Sequence, residues 1–108
     1  MVMENMKYKA MNPACRMMMC FGSRWALTVL LALHEHGPIR FGELRRAVSD
    51  VISERMLAAT LDELVELGLV SRTVFAEVPP RVEYATAPKT VTLIPIIYEL
   101  RSWAEQNC

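Results

Sequence analysis

Neither sign of charge is in surplus in this chain. Twelve Lys and Arg residues cancel twelve Asp and Glu residues, so no overall positive field announces a polyanionic partner. Contact with nucleic acid would need basic residues gathered locally. Long apolar runs are also missing. The longest, Trp25 to Leu33, has nine residues, where crossing a bilayer takes about 20. The first residues lack a basic start, a continuous apolar stretch and a small-residue cleavage site. No secretory leader is expected, and the chain reads as cytoplasmic.

Cysteine is scarce and odd in number. Cys15, Cys20 and Cys108 show neither metal-ligand spacing nor a disulfide framework. Reduced thiols and no zinc are expected. His34 and His36 stand two apart, hence on different faces of a helix, with no Glu or Cys at ligand spacing, and they read as helix-end residues. There is no glycine-rich phosphate loop, no Ser-His-Asp order and no evident pair of catalytic carboxylates. Neither an enzyme nor a cofactor is expected.

What the chain does have is apolar substance: 53% hydrophobic residues in 108. That suits one domain with a real core, small enough to gain from extra burial in a dimer. Residues 1–11 show no sustained period and read as a flexible N-terminal arm. Residues 12–108 read as the domain. Asn12-Pro13 looks like a helix start, with Asn as cap and Pro at the first helical position, and Gly22 ends that helix. Its run Met17-Met18-Met19 exceeds what one buried stripe can use, so part of it is expected to meet another surface. Ser23 can cap the next helix, which is apolar nearly all round until Glu35 and His36 and stops at Gly37-Pro38. Such a helix belongs at the centre of a small domain. Ile39-Arg40 is at most a short edge strand, and Phe41 to Val48 is a short helix with a basic end.

The chain is organised around the stretch from Val51 to Gly68. Ser53 is an N-cap, Glu54 complements the dipole, and Gly68 takes the left-handed stop. Leu57, Leu61, Leu64 and Val65 form a buried stripe, while Arg55, Ala58, Ala59, Asp62 and Glu66 fall on the opposite side. After Gly68, Leu69 to Ala76 and Arg81 to Thr86 are two extended segments joined through Glu77-Val-Pro-Pro80. Two prolines there remove ladder donors, which makes this a β-hairpin with a proline-bearing tip. From Pro88 to Asn107 apolar residues return at helical spacing.

Helix, helix, turn, helix and a β wing is the order of a winged helix-turn-helix domain, an α+β fold with N- and C-terminal dimerisation helices. The segments Phe41-Gly-Glu-Leu-Arg-Arg46, Leu61-Asp-Glu-Leu-Val-Glu-Leu-Gly-Leu-Val-Ser-Arg72 and Thr73-Val-Phe-Ala-Glu-Val-Pro-Pro-Arg-Val-Glu-Tyr84 closely resemble the HxlR family of bacterial transcription regulators. So do Cys15, Gly22-Ser-Arg-Trp25 and the Gly37-Pro38 turn before Arg40-Phe41. The resemblance implies a homodimer that binds double-stranded DNA at a pseudo-palindromic operator and often responds to small electrophiles or oxidants. It implies a winged-helix core over residues 21–87 and a dimerisation helix over 88–108. In that setting Ser53, Arg55, Ala59 and Thr60 face the duplex, with Arg55 the best placed for a bidentate contact to guanine or phosphate. Arg45 and Arg46 grip the backbone, and Arg72 and Arg81 reach phosphate or the minor groove from the wing. Met17, Met18, Ile94, Ile97, Leu100 and Trp103 are expected at the dimer interface.

Cys15, near the third position of its helix and beside Arg16, has a dipole and a cation favouring thiolate. From spacing alone the plainer reading is a small packed hydrophobe. Family members often place a sensing cysteine here, which sets the sensor reading beside it. Cys20 reads as core.

Departures from the family are informative. Glu54 stands where the family usually has proline, and Ala59, Thr60 and Asp62 stand where it carries Gln and Arg. From Arg40 through Arg81 six basic residues face seven acidic ones, which thins the phosphate-neutralising charge. The second reading is therefore a winged-helix protein-interaction module that has lost strong DNA binding. The stretch Thr86-Ala-Pro-Lys-Thr90 lacks a hydroxyl directly before Pro88, so the last helix is expected to start late or fray.

Overall fold

The computed structural model describes residues 13–22 and 25–108. The N-terminal arm, the Asn12 cap and the Ser23 cap lie outside the described residues. Among the described residues five helices and three strands follow one another: α1 Pro13–Phe21, α2 Ala26–His36, β1 Ile39–Arg40, α3 Phe41–Val48, α4 Glu54–Glu66, β2 Val70–Phe75, β3 Arg81–Thr86, a 3-10 turn Pro88–Thr92 and α5 Ile94–Asn107.

The central helix is α2. Val29, Leu30 and Leu33 are wholly shielded from solvent, as its nearly continuous apolar sequence requires. Around it close Leu44 from α3, Ile52 from the turn, Leu57, Leu61 and Leu64 from α4, and Ile94 and Ile97 from α5. Gly37 ends α2 at φ 70°, its amide donating to the Leu33 carbonyl at 3.0 Å. That left-handed backbone is open to glycine at little cost.

The short edge strand joins the wing. The sheet is antiparallel in the order β1-β3-β2, with Ile39 opposite Tyr84 and Val70 through Phe75 opposite Thr86 through Arg81. The hairpin is tied to the helices at its base, where Leu69 and Val70 are buried.

Both ends of α4 follow from sequence. The Ser53 hydroxyl accepts from the Met56 amide at 3.0 Å, which satisfies one of the first-turn donors. At the other end Gly68 adopts φ 77°. Its amide donates to Val65 at 2.9 Å, and the Leu69 amide donates to Leu64 at 3.0 Å. This paired closure, with Leu64 and Leu69 both buried, is the Schellman arrangement. Lys89 adds its ammonium to the Leu67 carbonyl at 3.3 Å.

The last helix does start late. Ala87 caps nothing with its side chain, the chain turns as a 3-10 helix through Thr92, and α-helical geometry begins only at Ile94. Thr90 is instead turned inward, its hydroxyl donating to the Leu69 carbonyl at 2.7 Å in a fully buried position. A polar group at that depth needs such a partner.

Candidate nucleic-acid interface

Two helices and the turn between them build the site. Arg45, in the last turn of α3, donates from Nε to the Ile52 carbonyl at 3.0 Å and lies 3.6 Å from the Glu54 carboxylate through Nη1. It thereby spans the turn and holds the start of α4 against α3. Ser49 steadies the same turn by accepting from the Val51 amide at 3.0 Å. A cleft between the two helices is lined by Phe41, Gly42, Arg46, Ser49 and Asp50, with Arg45 and Glu54 across it.

Beyond the Ser53 cap, α4 shows solvent Arg55, Ala58, Ala59 and Asp62. The inward stripe is Leu57, Leu61 and Leu64, as the spacing requires. Thr60 is a correction: it is 5% exposed and its hydroxyl donates to the Met56 carbonyl at 2.9 Å. The position falls next to Leu64 at the edge of the apolar stripe, and the seating of α4 turns its side chain to the core, where it offers nothing to a phosphate.

Arg81 is a second correction. Its guanidinium lies 3.1 Å from Glu77, 3.4 Å from Glu83 and 3.9 Å above the Phe75 ring. Two carboxylates and an aromatic face engage the cation, and it ties the two strands together beside the turn of the wing rather than reaching outward. Arg46 and Arg72 are exposed, and no ion pair holds either among the described residues. Arg40, which the sequence reading left aside, is exposed and shares a surface depression with Arg46. Its place at the strand-helix junction carries no local sequence signal. The exposed arginines around the helix-turn-helix are therefore Arg40 and Arg46, which share their depression with Glu43, and Arg55 in the first turn of α4.

The dimer residues divide. Ile94 and Ile97 are 3% and 4% exposed within their own chain, so both belong to the core rather than to an interface. Met17 also packs on the core, while Met18 stands out at 65% exposure. Leu100 and Trp103 are exposed on α5 beside an apolar groove lined by Leu27, Leu31, Leu100 and Ala104. The first half of α5 is tied to the last turn of α2 by the Tyr98 hydroxyl, which donates to Glu35 at 2.9 Å. That bond to a carboxylate raises the phenol above its ordinary range.

Cys15 lies on α1, but its side chain is outside the described residues. Cys20 is buried, and burial together with the Glu63 carboxylate pushes its thiol from 9.0 up to about 12. A protonated thiol is a poor nucleophile. At pH 8 a thiol-alkylating reagent is expected to label the exposed Cys108 in the folded protein and Cys20 only after unfolding, read by peptide mass. The folded chain keeps a proton that the unfolded chain releases above pH 9. The Cys20 contribution to stability is therefore full below that pH and lost as pH rises toward 12.

The HxlR-like helix-turn-helix family model matches residues 20–108. An HTH-type transcriptional regulator of Halalkalibacterium halodurans is 41% identical over 86 residues, covering 80% of this chain and 75% of that protein. Among solved structures, the reduced form of the transcriptional regulator YodB from B. subtilis superposes with a TM-score of 0.74 at 34% identity, covering 84% of this chain and 87% of that one. The redox regulator HypR in its reduced form gives a TM-score of 0.76 at 34% identity, covering 89% and 93%.

Proposed function

Because the chain belongs to the HxlR-like helix-turn-helix family of transcriptional regulators, we propose that it binds double-stranded DNA as a homodimer, one α4 entering the major groove at each half of a pseudo-palindromic operator. Its workplace is the cytoplasm. The observation that carries this reading is the exposed Arg55 in the first turn of a helix held at its start by Ser53 and Arg45. An arginine there has the reach and fork geometry for a guanine edge or a phosphate. Arg40 and Arg46 supply backbone contacts beside it.

The relatives' names, HTH-type transcriptional regulators, weigh against the protein-interaction module. YodB has a structure after diamide treatment and HypR one in its oxidised form. Their redox chemistry supports an oxidant or electrophile as the signal here, with Cys15 its entry point.

The experiment is a salt titration of binding to promoter duplex and to scrambled duplex. The chain is expected to prefer its promoter and to show a negative salt slope. Arg55→Ala costs about 1–3 kcal/mol on the operator, roughly 5- to 150-fold, and less on scrambled DNA. Equal losses on both duplexes would leave Arg55 a phosphate contact only. Diamide added to the same titration shifts the wild-type curve and leaves Cys15→Ser unmoved.

A further inference from the structure

Recognition of a base by a groove-facing helix needs a donor, an acceptor or an apolar group set against the right edge. On α4 the exposed positions after Arg55 are Met56, Ala58, Ala59, Asp62, Glu63 and Glu66, of which Ala58, Ala59, Asp62 and Glu66 share the face of Arg55. Thr60, the only hydroxyl in that stretch, points inward and is satisfied by its own helix. Met56 leaves its side chain 46% exposed alongside. The middle of the face is therefore two methyl groups beside a thioether chain. No outward hydrogen-bonding side chain stands between Arg55 and Asp62.

In the major groove a base pair presents one apolar feature, the C5-methyl group of thymine. Methyl against methyl removes water from both surfaces. A purine edge pressed on the same alanines would lose water from its N7 acceptor and gain no partner, which carries the penalty of an unmade hydrogen bond. Discrimination therefore runs toward thymine. The short alanine side chains also let the helix backbone approach the groove floor, where that methyl stands.

We propose that Ala58 and Ala59 select thymine in each operator half-site by apolar contact with its C5-methyl group, as a direct readout beside the Arg55 contact. This rests on α4 binding DNA as described above. It accounts for a reading face without amide side chains: specificity lies in methyl contacts rather than in bidentate hydrogen bonds to adenine.

The test uses the full chain and duplexes enriched from a random-sequence library. Each thymine of the enriched half-site is then replaced in turn by deoxyuridine, which lacks the methyl and keeps pairing and charge. The wild type is expected to lose about fourfold in affinity for each contacted methyl removed, at one or two positions per half-site. The variant Ala58→Ser/Ala59→Ser, shown folded by its unfolding curve, binds thymine and deoxyuridine duplexes equally. If that variant does not fold, the wild-type deoxyuridine series decides alone. Wild-type binding indifferent to deoxyuridine at every position, or an enriched site without a fixed thymine, overturns the inference and leaves sequence-specific binding standing. Failure of the wild type to hold any duplex at low salt overturns the DNA reading and this inference together.

Discussion

Replacing Leu100 and Trp103 together by glutamate is expected to give a folded monomer whose affinity for a full operator falls by roughly 10²- to 10⁴-fold. The two side chains are 54% and 61% exposed on α5, with Ile96 at 61% on the same helix. A single exposed apolar residue is ordinary; several on one helix beside an apolar groove call for a partner surface. An aromatic ring such as Trp103 supplies about 150–250 Å² of burial by itself. Two carboxylates at the centre of a paired face would have to be desolvated twice, once per copy, which separates the subunits. Each subunit would still fold, because the core side of α5 is made by Ile94 and Ile97. Light scattering on the eluting protein, with binding to full and half operator sites, reads both effects. A variant that stays dimeric at micromolar concentration moves the interface elsewhere, and the exposed Met18 would be the next face to test. Loss of dimerisation with undiminished full-site affinity would mean that the two half-sites are bound independently.

The second large effect concerns stability. Leu61→Ala is expected to cost about 2–5 kcal/mol, because a fully buried leucine leaves a cavity that its neighbours fill incompletely. Against a total of about 5–15 kcal/mol for a domain this is a large fraction. Urea unfolding reads it as a lower midpoint at unchanged slope. Asp62→Ala, one residue along and exposed, serves as the control and should stay within about 0.5 kcal/mol. A cost at Leu61 no greater than the control's would mean that α4 is held by its caps and turn rather than by its apolar stripe. Operator binding of the Leu61 variant, measured well below its unfolding midpoint, reports separately whether the helix has shifted in its seat.

Glu54 and Arg45 explain how a helix with little basic charge is kept in place. The family's proline at the position of Glu54 would preset the first helical turn by geometry. Here the carboxylate works through the dipole and through Arg45, whose other nitrogen already spans the turn to Ile52. The cation expected to grip phosphate thus has a positioning role within the protein.

The order of the elements, the limits of α4, the inward Leu57-Leu61-Leu64 stripe and the wing hairpin were all legible in the sequence. Each is written in short-range chemistry: a cap three residues from its amide, a glycine at a left-handed stop, an apolar period of three and four, prolines where a strand must break. The late start of α5 was legible for the same reason, since it turned on the missing hydroxyl before Pro88. The family resemblance rested on those same local segments.

Tertiary structure alone decided the rest. Apolar residues at helical spacing look alike whether they pack on their own chain or on another. Ile94 and Ile97 were therefore indistinguishable from Leu100 and Trp103 until α5 was set against α2. Thr60 lay at the edge of the stripe, and only the rotation of α4 on the core turned its hydroxyl inward. Arg81 reads as a free cation along the chain. Strand register sets Phe75 opposite it, under its guanidinium, and that fixed position lets the sequence neighbours Glu77 and Glu83 close on the cation. In each case what decided the role of the residue was a neighbour that folding supplies, and no local pattern specifies such a neighbour.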